Sequence, residues 1–481
     1  MRTLERVLIF LVFAGLFVAC NKDEALFIDE APEIGLKAGP AGLVFMVQPS
    51  GGDDTPAIMQ AFDDAKAAGP GSVVQLCEGE YHLGYMEIYD FYGSLKGAGK
   101  GKTIISVLPG MDLDDLFAQH KLHCMVKFIG GDVHLSHFTI RTPPGQLSTG
   151  WPYMGHIYAL LNFSAFSANY QFGNDSRSIN VVIDNVYFRG HLLEGGPGYV
   201  NEYNCMIAVR TGFDYFPSWE TPEDPLPREK IDFKITNCEF DTFVYGLGLE
   251  GMINSRVIIG EKNKGNIFNN LDQQGGVWES RNTVVSIEGN TFNIPAFSYG
   301  LDLDDYPYYA IFREEPSESA TIFNVQNNLF NMTHSEYALF LRNTRTVTNP
   351  GEPATIYQVR NNQFNMADGY EWAILSYYTD GMVIRNNKFS GHGDLALFLV
   401  NYSKNGLVLG NNFSTAMLET AVAYLTPSTQ NWTFVGGNFT DKVINLGVNN
   451  VFTGMNVSTS DVPLGRSISE KLVPMNQMMN N

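Results

Sequence analysis

The sequence predicts an all-β solenoid, a right-handed parallel β-helix with a capping helix at its N-terminal end. Three observations lead there. A short pattern of alternating apolar residues, then Asn or Gly, then a polar residue and Phe recurs through most of the chain. Late in that series Phe364, Phe389, Phe413 and Phe439 are spaced 25, 24 and 26 residues apart. The 481 residues are 44% hydrophobic and only 17% charged, with 47 Gly. That is ample apolar material for one long core, too little charge for a disordered chain, and more glycine than a helical bundle carries.

The repeat is explicit in eight places. It reads VVIDNVYF at 181–188, FKITNCEF at 233–240, VSIEGNTF at 285–292 and FNVQNNLF at 323–330. It continues as YQVRNNQF at 357–364, VIRNNKF at 383–389, LVLGNNF at 407–413 and TFVGGNF at 433–439. Alternation sends every second side chain inward, and the Asn or Gly bends the chain into the next strand. Asn at one turn and Phe at one offset are expected to stack from coil to coil, since no single coil buries its own apolar face. A helical reading fails because Asn-Asn pairs and β-branched runs disfavour helix there. Earlier gaps of 34, 38 and 52 residues fit one coil with an insertion, or two coils. A second segment follows each repeat, for example at 206–210, 245–250, 338–342, 371–376, 395–401 and 420–424. Each coil is therefore expected to have at least two strands, and three fit best.

The ends read differently. Arg2 and Arg6 precede an apolar run from Val7 to Ala19, too short to span a bilayer and suited to an export signal. The run ends Phe17-Val18-Ala19-Cys20, with small Ala before a Cys. This resembles a lipobox, with Phe17 standing where Leu is usual, and implies lipidation of Cys20. Asn21-Lys22-Asp23-Glu24 resembles the start of exported lipoproteins of Bacteroidetes-type bacteria. The expected organisation is a signal peptide at 1–19, a lipidated Cys and linker at 20–44, the β-helix at 45–460 and a tail at 461–481. The location this implies is the bacterial cell envelope, lipid-anchored to the outer membrane, on its periplasmic or its surface face. Cys77, Cys124, Cys205 and Cys238 match no metal spacing, and both disulfides and buried thiols stay open. A net charge of -20 argues against a nucleic-acid partner, since no basic stripe exists to neutralise phosphates.

Residues 52–83, GDDTPAIMQAFDDAKAAGPGSVVQLCEGEYHL, carry a helix signal: Asp54 or Thr55 as N-cap, Pro56 at N1. Ile58, Met59, Phe62 and Ala65 share one face, and Gly69 ends it. With LKGAGKGKTIIS at 95–106 and the later repeats, the chain resembles the pectate-lyase-like superfamily over most of residues 45–455. The resemblance implies a parallel β-helix whose substrate groove runs along one sheet between loops. It implies a polysaccharide partner and leaves the reaction open. Thr379-Asp380-Gly381 and Gly391-His392-Gly393 are similar to fragments of the polygalacturonase signature. The paired Asp-Asp coil expected between them is missing, so His392 reads as a surface residue among turn glycines.

Two stretches interrupt the repeat: Thr211 to Lys230 and Ala296 to Tyr309. Long loops on a rigid solenoid are where function tends to sit. Tyr215, Trp219 and Tyr308 could stack on sugar rings, and Asp214, Asp304 and Asp305 could bind hydroxyls or Ca2+. No cofactor is required. Alternation with Ile207, Val209, Leu247, Leu249, Leu339 and Leu341 inward points Arg210, Glu250 and Arg342 outward, in a column to which Arg313 could add. Such a column could pair with a uronate carboxylate, or be a salt-bridged ladder on a solvated face. A glycosidase would pair Glu250 with Asp214, Asp302, Asp304 or Asp305. A lyase would draw on Arg210, Arg342, Tyr215 and His191. The alternative to an enzyme is a glycan-binding or structural surface protein.

Overall fold

The computed structural model describes residues 42–110, 124–142, 157–165, 178–191, 205–212, 228–304, 319–343, 355–368, 371–437 and 443–459. Cys20 and the 461–481 tail lie outside them. The described residues form a right-handed parallel β-helix, with strands running from Val44–Val47 to Val457–Ser458. Every strand pairing is parallel and resolves into three stacks. The first sheet holds the alternating strands such as Lys230–Thr236 and Ile356–Arg360. The second holds the Phe strands, such as Glu239–Asp241 and Gln363–Met366. The third holds the strands of the second repeat segment, such as Tyr245–Glu250 and Tyr337–Arg342.

The Asn-Asn pairs divide their labour at the turn from first to second sheet. The first residue takes the left-handed backbone, with φ of 55° at Asn327, 56° at Asn361 and 55° at Asn386. Asn tolerates that region better than most residues because its short side chain bonds locally. The next residue is a buried Asn that joins a ladder through Asn266, Asn290, Asn328, Asn362, Asn387 and Asn411, with Gly in place of the first Asn before Asn266, Asn290 and Asn411. Each Nδ2 donates to the next Oδ1 at 3.0 Å. The same side chains also bond backbone of neighbouring coils. Asn362 donates to the Val325 carbonyl at 2.9 Å, and its Oδ1 accepts the Asn328 N–H at 3.0 Å. Satisfied amides in a dry interior are what make such a ladder stabilising.

Beside it Phe188, Phe240, Phe268, Phe292, Phe330, Phe364, Phe389 and Phe413 stack, with ring centroids 4.6 to 4.9 Å apart. The two 52-residue gaps resolve oppositely. Phe188 pairs directly with Phe240, one interrupted coil, whereas Phe268 stands between Phe240 and Phe292, making two. Cys238 occupies the ladder position ahead of Asn266 and accepts the Val186 N–H at 3.4 Å. Burial pushes its thiol up to about 12. Among the described residues, Cys77, Cys124 and Cys238 are not in disulfides.

Helix α1, Thr55–Ala68, closes the N-terminal end. Pro56 begins it and Gly69 ends it, at φ 103°. Asp54 is the N-cap residue, but its carboxylate instead accepts the N–H of Ser50 and of His82, tying the helix to the first coils. Buried Ile58, Ala61, Phe62 and Ala65 face the solenoid. The Phe62 ring meets Phe91 edge-on at 4.9 Å.

The third sheet departs from strict alternation at its first corner. Ala208, Ala338, Ala373 and Ala396 point into the core, and so do Val209, Leu339, Ile374 and Leu397 after them. Ile207 therefore faces outward, packing with Cys124 and Ala159 instead of the core as its alternation predicted. A second correction concerns 296–309, which is not wholly an insertion. Tyr299–Asp304 is a regular third-sheet strand.

Candidate functional site

The outward face of the third sheet brings together the described members of the predicted site. Strand register places Arg210 opposite Gly248, while Glu250 lies opposite Trp278, Trp278 opposite Asp304, and Asp304 opposite Arg342. The single Arg-Glu-Arg column is thus incorrect. Arg210 belongs to the neighbouring row, and two coils separate Glu250 from Arg342.

Each cation has its own carboxylate. Arg210 reaches diagonally to Glu250, its Nε donating to Oε1 at 2.9 Å and its Nη2 to the same oxygen. Arg342 Nη2 lies 3.6 Å from Asp302 Oδ2, and its guanidinium sits 4.9 Å from the Phe340 ring centroid. Glu250 is opened to solvent, with 27% of its side chain exposed, against 13% for Asp302. Burial raises the Asp302 pKa above the ordinary carboxylate value, opposed by Arg342 and by the Trp278 indole donating to it. Burial also lifts Tyr337 well above the ordinary phenol value and Tyr299 to about 12, so neither is a base near neutrality.

Between the two ion pairs lies a notch floored by glycine. Gly248 and Gly276 are opposite one another, and Gly276 is opposite Asp302. The Trp278 indole lies over Gly276, where a Cβ would fall 2.0 Å from two ring atoms. Only glycine leaves room for the ring there. Tyr245 meets Trp278 edge-on at 5.8 Å. The result is a broad aromatic surface resting on backbone, between a Glu–Arg and an Asp–Arg pair.

Asp214, Tyr215, Trp219, Asp305, Tyr308 and Arg313 lie outside the described residues, and of Asp304 only the backbone is described. His191 follows a second-sheet strand and approaches Thr142 at 3.4 Å, so it does not join this face. His392 pairs with exposed Glu419 at 3.2 Å. Among the described residues no group of three His, Cys, Asp or Glu could hold a metal ion. Reading the sequence missed Trp278 and its glycines. Their strand, Gln273–Trp278, has Gly275 where its neighbours carry Leu247 and Leu301, and this breaks the apolar alternation there. The signal available was the unclaimed Phe268 coil just before it.

No protein-family model matches the chain, and no curated protein matches it in sequence. Its fold is similar to several solved structures at low identity. The A-module of the mannuronan C-5 epimerase AlgE4 of Azotobacter vinelandii is 12% identical, with 88% of this chain and 96% of that one covered and a TM-score of 0.35. For DFA-IIIase from Arthrobacter chlorophenolicus the values are 12%, 91%, 86% and 0.43. For PfbA, a surface adhesin of Streptococcus pneumoniae, they are 13%, 88%, 96% and 0.37.

Proposed function

We propose that the protein is a polysaccharide-acting β-helix of the bacterial cell envelope, with the glycan lying along the outward face of the third sheet. The observation that carries this reading is Trp278 laid over Gly276 beside Tyr245, because sugar rings stack on a flat aromatic surface held by backbone. Flanking carboxylates and guanidinium groups supply hydrogen bonds at the rim. Asp302 is the described side chain of this face suited to deliver a proton, since burial favours its protonated form. A chain of single rings bound across the notch would present a glycosidic oxygen near it.

A second reading, glycan binding without cleavage, is favoured by one observation. Glu250 and Asp302 are drawn apart, each toward its own arginine, on coils two apart, roughly 10 Å along the solenoid. That arrangement does not make the close carboxylate pair of a retaining glycosidase. The same proposal includes the anchor: Cys20 carries lipid, and acyl chains hold the protein on the membrane.

Screening the purified soluble part against a panel of polysaccharides tests the reading. Binding weakened by Trp278→Ala is expected. Turnover that falls as pH rises through the Asp302 titration, and is lost in Asp302→Asn, supports cleavage. Binding with neither new reducing ends nor unsaturated products supports the second reading. Absence of binding to every glycan sinks both. For the anchor, Cys20→Ala should move the protein from the membrane fraction to the soluble one, and an unchanged distribution would overturn it.

A further inference from the structure

We infer that the protein holds a second carbohydrate-binding site, an exposed tyrosine platform made by Tyr402 with Tyr378 behind it, at the turn leaving the third sheet. It uses other residues than the Trp278 face and does not depend on it.

At this turn the chain passes through the left-handed backbone region, at φ 95° on Gly212 and 64° on Gly251. Two later coils put tyrosine there, Tyr378 at 56° and Tyr402 at 62°. A bulky side chain in that region is strained, and Gly or Asn is what folding alone favours. Strain of this kind gathers at ligand sites, where the surrounding structure holds it. Here the rings are graded from core to solvent. Buried Tyr377 meets Tyr378 edge-on at 4.9 Å, and half-buried Tyr378 stacks on Tyr402 at 5.6 Å. Tyr402 itself is 58% exposed. Packing fixes the platform from behind and leaves its outer ring to water.

The rim of the platform is polar. Three residues beyond Tyr402, exposed Asn405 donates from Nδ2 to Asp380 Oδ1 at 2.7 Å, and exposed Asn431 donates to Asn405 Oδ1 at 2.9 Å. Lys404 pairs with Asp380 at 3.3 Å with 43% of its side chain exposed. Each amide spends one N–H in this ladder and has a second to offer. A flat ring beside amide donors suits a sugar, which presents C–H groups on a face and hydroxyls at its edge. A protein partner fits poorly, because a stable interface takes about 800 Å² per partner. Asn405, Gln430 and Asn431, the exposed positions following Tyr402 on its own and the next coil, extend no apolar patch.

Register runs from Trp278 through Asp304 and Arg342 to Tyr377, and Tyr402 follows on the next coil. That is about 19 Å along the solenoid at ~4.8 Å per coil. Arg342 and Tyr377, 7% and 3% exposed, lie between, so the two aromatic surfaces are separate sites.

The test is affinity electrophoresis of the purified full chain against glucans, mannans, xylans, polygalacturonate and alginate. Tyr402→Gly removes the ring and suits the left-handed backbone, so its unfolding midpoint should not fall. Its affinity for a bound glycan should fall roughly tenfold, while Tyr402→Phe keeps it. Binding that survives in Trp278→Ala should be lost when Tyr402→Gly is added. Native affinity for every glycan in Tyr402→Gly would overturn the second site, and a loss in Trp278→Ala would then leave the first standing. A dimer that dissociates in Tyr402→Gly by analytical ultracentrifugation, with glycan affinity intact, would overturn it in favour of a contact between copies. Absence of binding to every glycan would overturn both sites.

Discussion

Along the third sheet one repeat presents two unlike outward faces. In the N-terminal coils the middle outward row reads Lys127, Asn162 and Arg210 before the two glycines. In the C-terminal coils the same row reads Phe340, Leu375, Phe398, Tyr424 and Ile444. With Tyr337, Trp372, Leu395 and Ala421 beside them these form a second apolar cluster, separate from the core. The boundary falls between Asp302 and Phe340, which are neighbours in register. Arg342 belongs to both halves, pairing with Asp302 and lying against Phe340. The inward residues are equivalent on the two sides, Val209 and Leu247 against Leu339 and Ile374. The inside of a coil is therefore dictated by the repeat, and the outside is free to diverge toward recognition or toward packing.

Substitutions can break this contrast. The largest effect is expected on the apolar half: Phe398→Ala should cost about 3–5 kcal/mol in denaturant unfolding, because Trp372, Leu375 and Tyr424 cannot close the space. Glycan affinity should hardly change. Trp278→Ala should do the reverse, weakening binding by about 1–3 kcal/mol in calorimetry with little loss of unfolding free energy, as the indole is only part-buried. Equal losses of stability in the two variants would erase the distinction.

A smaller effect is expected at the rim. Glu250→Gln keeps a hydrogen-bond acceptor for Arg210 but removes its counter-charge, and should lower stability by about 1–2 kcal/mol. The smallest test is pH. The folded-state pKa of Asp302 is raised by burial, so its stability contribution is full below the unfolded value and lost as pH rises through the folded one. Measured by thermal unfolding, the stability of the native protein relative to Asp302→Asn should fall as pH rises from acid through that window. A relative stability that rose with pH would contradict the direction assigned to Asp302.

The site was legible only in part. Alternation pointed Arg210, Glu250 and Arg342 outward, and all three are on the predicted face, because side-chain phase is a property of one strand. Their pairing was not legible, because it depends on which coils are adjacent. The two gaps of equal length make the reason plain: 188 to 240 is one coil and 240 to 292 is two. Missing the Phe268 coil hid the strand bearing Trp278, and with it the centre of the face. Asp302 was considered as a carboxylate partner but was placed in an insertion, because Tyr299–Asp304 carries aspartates at the positions that face outward.

By itself the sequence determined the solenoid, the helix over its end, the Asn ladder and the Phe stack. Those contacts join the same position of successive repeats, so a one-dimensional pattern contains them. Only the tertiary structure decided that Arg210 meets Glu250, that Arg342 meets Asp302, and that Trp278 lies on glycine between them. Those contacts join different positions of different coils, and only the register of one strand against the next brings them together.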